Sequence, residues 1–378
     1  MYIYYYIMEK VFNDIIEYRK KNNKTLRESS LKMYKGYFKK IIKLMKGDDF
    51  IFKSLDMFND YNKVFLLIKS FTLSSQKNII NIIMVSLLDT KKYKNLKNIY
   101  FKYKSELEKK IKIEKKKQHK TKKEKKKWVT VKKLIRALNI NKKKFNVFDK
   151  LIKKHIKNGK IIKIKKEKED YDNPNIIILT NQQEDIILYY TVSILYILDM
   201  FVHGPRRNIY ATFNIITEDV FNKLENKKTI NALIISKENK KRFQFAYYKT
   251  SENMGAYIIE LTNKMNNAFN KVLPYLLLYN GKKFNINWRD AQFNIPLINH
   301  NITVGNAMRK KANSSNLSKI IPLVFKSTGK QVTSTTIRKV IITKFYEKIR
   351  TLEEKKTFAL SCGHSYTTAE NIYNKMCG

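Results

Sequence analysis

Apolar side chains recur at residues 31, 34, 38, 41, 42 and 45 of the stretch TLRESSLKMYKGYFKKIIKLM, close to helical spacing, so the pattern predicts a helix with one buried face. A second helix is predicted over LSSQKNIINIIMVSLL, with Ser74 or Ser75 as its N-cap. Gly and Pro are scarce from residue 10 to about 105, and the region reads as a small helical bundle, residues 10–108. Lysine then fills 12 of the 19 positions from 109 to 127, a composition that cannot build a core, so this segment reads as a linker or basic arm. From 128 to 378 the pattern changes. Residues 184–200 are apolar nearly all round, which predicts a central helix, stopped by Gly204 and Pro205. NALIIS, RFQFAYYKT and AYIIEL read as three strands joined by the turns KENKK and SENMG. STTIRKVIITKFYEKIRTLEEKK reads as one helix with Ile337, Ile341, Phe345 and Ile349 as its apolar stripe. Thr367 and Glu370 fit a capping box, so a short last helix is predicted from Thr367. The fold class expected is mainly α with a small antiparallel β-sheet, an α+β arrangement of a helical domain and a larger mixed domain.

Charge changes the picture. With 78 basic residues against 32 acidic ones the chain carries +46, and such a surface attracts polyanions, nucleic acid first among them. Lysine, asparagine, isoleucine and tyrosine are all abundant, as a bias toward AT-rich codons would make them. A single lysine run is therefore read equally well as a solvated coat. Arginine is the more informative cation: there are 10 Arg against 68 Lys, and a guanidinium grips phosphate with a planar fork that an ammonium lacks. A hydrophobic content of 43% is enough for a sizeable core, and 378 residues give room for two domains. The most apolar run, DIILYYTVSILYILDMFV, contains Asp185 and Asp199, which favours a buried helix over a membrane span. Cys362 and Cys377 make no disulfide framework, so a reducing, intracellular compartment is expected, and the N-terminal residues lack the features of a signal peptide.

Most chemistry-bearing motifs are missing or incomplete. His119 and His155 stand among lysines and read as solvated. Cys362, His364 and Cys377 lack a fourth zinc ligand at useful spacing. No glycine-rich phosphate loop occurs, and no carboxylate trio for two magnesium ions stands out in the second domain. No cofactor or metal is expected.

One ordered series remains: GPRRNIY, YKTSENMG, TTIRK and GHSYTTAENIY. It gives Arg, Lys, Arg, His, Tyr in chain order, with 26 residues from Arg338 to His364 and nine from His364 to Tyr373. The series resembles the tyrosine recombinase (phage-integrase) family, and the first two motifs resemble the branch found in viral and virophage-type integrases. The resemblance covers most of residues 128–378. More loosely, residues 10–108 resemble the family's helical core-binding domain, and the junction KTKKEKKKWVT resembles its hinge.

The resemblance implies a metal-free transesterification. Tyr373 would attack a DNA phosphate and form a 3′-phosphotyrosine link. Arg338 and one of the adjacent pair Arg206 and Arg207, with Arg207 favoured, would hold the non-bridging oxygens. His364 would donate to the same phosphate, and Lys249 would protonate the leaving 5′-hydroxyl. Two departures stand out: Tyr210 occupies the place where the family usually has an acid, and Thr335 the place of a usual histidine. The implied partners are double-stranded DNA and three further copies in a homotetramer, with no membrane. The implied compartment is a host nucleus or viral factory, or the virion itself. Two rivals share these residues: a type IB topoisomerase, and a DNA-binding integrase relic without activity.

Overall fold

The computed structural model describes the chain except residues 1, 23–27, 48–51, 53, 89, 118, 165–172, 207, 247–254, 279–283, 285–288, 301–309, 312–313 and 376–378. It divides into two compact units, Met1–Lys117 and Gln118–Gly378.

The first unit is helical: α1 Tyr2–Lys21, α2 Glu28–Lys46, α3 Tyr61–Ile68, α4 Leu73–Ser86 and α5 Lys94–Lys116. Phe38, from the predicted stripe of α2, meets Phe12, Phe52 and Phe58 edge-on at centroid distances of 5.5, 5.3 and 5.7 Å. Tyr100 of α5 closes the core, its hydroxyl donating to the Phe58 carbonyl at 2.8 Å. Two local expectations change. Thr72, not Ser74 or Ser75, caps α4, accepting from the Ser75 N–H. Residues 109–116, expected in a linker, continue α5. With three hydroxyl residues inside four positions, the cap goes to the one whose backbone is extended, and helix propensity does not tell them apart.

The second unit starts with α6, Lys122–Lys127, whose capping box joins Thr121 and Glu124. Then come α7 Val131–Lys157, β1 Ile161–Lys163, β2 Ile176–Ile178 and α8 Asn181–Ser193. A π-helical segment, Ile194–Asp199, leads into α9, Met200–His203. After β3 Asn214–Thr217 and α10 Glu218–Lys223 come β4 Ala232–Ile235, β5 Lys241–Phe245, β6 Tyr257–Glu260, α11 Asn263–Leu278, β7 Asn294–Pro296, and the small pair β8 Asn299–His300 and β9 Lys310–Lys311. The chain ends in α12 Ser314–Val324, α13 Ser334–Tyr346, α14 Leu352–Ser361 and α15 Tyr366–Thr368.

The class is α+β, as expected. The three strands read from the sequence are β4, β5 and β6, paired antiparallel. The sheet is larger than expected, in the order β6-β5-β4-β3-β7, and the β3–β4 pairing is parallel. The predicted central helix is real but compound, with the π segment breaking its regular winding. Asn181–His203 is long and apolar enough to cross a membrane by length and composition, yet 67% of its most apolar window is buried inside the protein.

The long helix predicted from Ser334 is two helices. It stops at Tyr346, and Thr351 starts α14 with a capping box to Glu354. Ile337 and Ile341 are buried as expected, whereas Ile349 lies between the helices and is fully exposed. The strong N-terminal signal of TLEE prevails over the continuing apolar repeat.

Core packing centres on Phe145 of α7, which stacks on Tyr190 of α8 at 4.8 Å and meets Tyr275 of α11 edge-on at 5.5 Å. Tyr275 donates to Asp149 at 2.8 Å, so the polar tip of the ring is satisfied where it is buried. Phe145 is fully buried. Replacing it with alanine should cost about 3–5 kcal/mol. A urea midpoint that stays near that of the wild type in Phe145→Ala would contradict this packing.

Candidate active site

The first side of the site is built by an acid inside the apolar run. Asp199 ends the π segment and is fully buried. A buried carboxylate needs partners, and Asp199 has them on both oxygens. Its Oδ2 accepts from Arg206 Nη1 at 3.1 Å and from the Tyr210 hydroxyl in a short bond. Its Oδ1 lies 2.7 Å from His203 Nδ1. Arg206 is held further: Nε donates to the Tyr257 hydroxyl at 2.9 Å and Nη2 to the His203 carbonyl at 2.9 Å. Its guanidinium also lies over the Phe245 ring, 4.0 Å from the centroid. Burial opposes the charge on Arg206, but Asp199, Tyr210 and Tyr257 more than offset it and raise its pKa above the ordinary arginine value. Burial first, and Asp199 second, push the Tyr210 hydroxyl well above the usual tyrosine range.

The second side is built at the end of α14. Gly363 takes φ +68°, and the chain closes there in a Schellman ending: Gly363 N–H to Leu360 carbonyl at 2.8 Å and His364 N–H to Ala359 carbonyl at 3.0 Å. This turn aims His364 back into the protein. The chain re-enters helix at once, with Ser365 as N-cap accepting from the Thr368 N–H. The expected cap, Thr367, lies inside that turn, and Glu370 accepts instead from the Tyr366 hydroxyl at 2.8 Å. A π turn, Ala369–Tyr373, then carries Tyr373 to its place.

Arg338, His364 and Tyr373 converge. The imidazole of His364 stacks on the Tyr373 ring with centroids 4.6 Å apart and 22° between planes. The Arg338 guanidinium lies 4.7 Å from the centre of the same ring, and Arg338 Nη2 contacts His364 Nε2 directly. All three are buried, with relative exposures of 3%, 6% and 8% in that order. Nε2 can accept from an arginine N–H only when the imidazole proton is on Nδ1.

Cys362 ties the two sides together. Burial pushes its thiol up to about 12, and the guanidinium groups of both Arg338 and Arg206 pull the other way. Gly204, at φ +86°, packs so closely on Ser361 that an added Cβ would clash with its hydroxyl and lie 3.1 Å from its carbonyl carbon. The arginine turn is thus docked on the helix end that presents His364. Tyr196, on the π segment, also lies in the field of Arg338.

Of the residues singled out from the sequence, then, Arg338, His364 and Tyr373 come together, and Arg206 stands beside them across Cys362. Arg207 and Lys249 lie outside the described residues. Thr335 is exposed in the first turn of α13. Asp199 was missed as a site residue, although an acid in an apolar run seven residues before an arginine is itself a signal of a buried pair. Among the described residues, no group of three or more His, Cys, Asp or Glu could hold a metal. What the arrangement offers is cationic hydrogen-bond donors next to a phenol.

Removing the acid isolates its role. Asp199→Asn leaves a buried guanidinium without a counter-charge and should cost about 3–5 kcal/mol. Tyr210→Phe removes a single hydrogen-bond donor and should cost about 1 kcal/mol. Denaturant midpoints for the two variants check the order. Equal losses would mean that the charge on Arg206 is not what Asp199 supports.

No protein-family model matches the chain, and no curated protein matches it. Among solved structures, the crystal structure of XerA recombinase is similar over 97% of this chain and 93% of that one, at 13% sequence identity and a TM-score of 0.27. At that score the likeness carries no argument, and the functional reading rests on the residues themselves.

Proposed function

We propose that the chain is a tyrosine recombinase that integrates a viral or mobile-element genome by cutting and rejoining duplex DNA. The observation that carries this reading is the meeting of Arg338, His364 and Tyr373, brought from two helices and a terminal turn into one buried cluster. An arginine and a histidine in direct contact are well suited to share an anion: a phosphoryl oxygen set between them would accept from both.

In the proposed reaction the Tyr373 hydroxyl oxygen attacks phosphorus. The new P–O bond makes a 3′-phosphotyrosine, the bond from phosphorus to the 5′-oxygen breaks, and that oxygen leaves as a hydroxyl after taking a proton from Lys249. Rejoining is the same exchange in reverse, with a 5′-hydroxyl as nucleophile, so the phosphoester energy is conserved and no cofactor is consumed. Arg338, His364 and an arginine of the 206–207 pair neutralise the charge that builds on the non-bridging oxygens. Asp199 already anchors Arg206, whose three engaged nitrogens leave two of its five N–H donors for a phosphate. Because Thr335 is exposed at the start of α13, a water takes the Tyr373 proton in this scheme.

The packed cluster is the DNA-free form of this site. A phosphate entering it replaces the Arg338–His364 contact, and His364 then needs a proton on Nε2 to donate. The Tyr373 ring must leave its stack to turn its oxygen toward phosphorus. The excess of positive charge supplies the DNA affinity, and a homotetramer on two duplex sites, in a nucleus or viral factory, is the assembly that the resemblance implies.

Three measurements test the reading. A pool of randomised-sequence duplexes, each with a single nick, should yield a covalent protein–DNA adduct that mass spectrometry maps to Tyr373. The adduct should vanish in Tyr373→Phe and form about 10²–10³-fold more slowly in Arg338→Gln. An adduct at another residue, or none from any duplex in the pool, would sink the proposal. Efficient relaxation of supercoiled DNA without exchange between duplexes would favour a topoisomerase. Non-covalent binding to duplex should fall by about 10³–10⁵ between 50 and 200 mM salt for 6–10 phosphate contacts.

A further inference from the structure

Within the lysine-rich stretch, one acid is drawn inward. Lys122, Lys125 and Lys126 of α6 face solvent, whereas Glu124 is half-buried and forms an ion pair with Lys339 of α13. The side chains of that pair are only 16% and 20% exposed. Lys339 directly follows Arg338. On the same face of α13, one turn later, Thr343 Oγ1 accepts the backbone N–H of Lys375 at 2.9 Å. Lys375, in turn, stands two residues after Tyr373 and is 7% exposed.

Three charges therefore share one spot. Burial pushes the Glu124 carboxyl up, but Lys339, the Thr121 N–H and Lys375 outweigh it and hold it below the usual carboxylate range. Burial holds the Lys375 ammonium below its usual range, with Lys339 adding to that effect and Glu124 opposing it. Without a carboxylate here, two poorly hydrated ammonium groups would face each other across the seam between α13 and the terminal segment, and like charges at close range repel.

We infer that Glu124 is a positioning residue: by neutralising Lys339 and Lys375 together, it holds the segment that carries Tyr373 against the helix that carries Arg338. It does so from a short helix on which Lys122, Lys125 and Lys126 are turned to solvent. Whatever polyanion binds α6 is thereby joined through one carboxylate to the two elements of the tyrosine cluster. The inference rests on the proposed reaction for its meaning, but not for its test.

Glu124→Gln is the variant of choice. Glutamine at this position keeps the capping box to Thr121, so α6 stays capped and only the charge is lost. Hydrogen exchange of the full chain without DNA should be about tenfold faster for the backbone of residues 366–375 in Glu124→Gln, with the rest of the unit unchanged, and should stay near the wild-type rate in Lys339→Gln, which leaves Glu124 to pair with Lys375 alone. The exchanged pair Glu124→Lys with Lys339→Glu places a carboxylate between two ammonium groups again and should restore slow exchange. Unchanged exchange in Glu124→Gln, acceleration spread over the whole unit, or no recovery in the exchanged pair would each overturn the inference. If the Tyr373 adduct forms, Glu124→Gln should slow its formation about tenfold at saturating duplex while binding duplex no more weakly, since the substitution removes a negative charge from a lysine-rich helix. Failure to form any adduct bears on the proposed function alone, because the exchange measurement needs no DNA.

Discussion

Everything around the tyrosine cluster depends on a carboxylate that has no contact with water. Asp199 is fully buried and answers to an arginine, a tyrosine and a histidine at once. An ionised carboxylate in such a place is stable only if its partners are fixed, and fixing them aligns four elements. The π segment supplies the acid and the turn after α9 supplies Arg206. The 3₁₀ turn before β3 supplies Tyr210, and β6 supplies Tyr257. The extra backbone residue of a π turn rotates the facing of the residues beyond it by about a quarter-turn or more, which is how an acid at the end of an apolar helix comes to face the arginine turn. Gly204 then seats that turn on Ser361, and the helix end beyond Ser361 presents His364. A single electrostatic demand thus propagates from the centre of the fold to the histidine.

How much of the fold is legible in the sequence depends on the range over which each signal acts. Apolar periodicity located α2, α4, α8 and the hairpin strands because burial of one face is a local property of spacing. It failed where two local signals competed. The stripe Ile337, Ile341, Phe345, Ile349 continues smoothly, yet Thr351 and Glu354 form a capping box that starts a new helix, and Ile349 is left in solvent. Ser365 and Thr367 both satisfy an N-cap pattern, but the Schellman ending at Gly363 places the next residues in position to start a turn at once, so the earlier one wins. The parallel pairing of β3 with β4 depends on a crossover through α10, and nothing in the strand residues alone encodes it.

The candidate site was legible by a different route. Arg338, His364 and Tyr373 were picked out by order and spacing, and they meet in space. Their three-dimensional arrangement was not legible, since it depends on a left-handed glycine, two π turns and a buried acid. Arginine scarcity proved a useful guide in physical terms. Arg206 and Arg338 are among the most buried charged residues of the chain, at 2% and 3% exposure, while most lysines of the coat stay in water. The weakly hydrated guanidinium tolerates such burial and keeps its proton there, which an ammonium does less readily.

Closure of the cluster has an energetic reason in the free protein. With so large a positive charge, two guanidinium groups and an imidazole left facing one another in an open cavity would raise the cost of folding. The structure lowers that cost by different means at each cation. Arg206 is neutralised by Asp199. Arg338 is laid against the face of Tyr373, where the ring's negative quadrupole partly compensates the charge. His364 sets Nε2 directly against Arg338. The face of the Tyr373 ring thus stands against Arg338 as the Asp199 carboxylate stands against Arg206. Under the proposed reaction, a phosphoryl group arriving beside Tyr373 would meet cations already gathered.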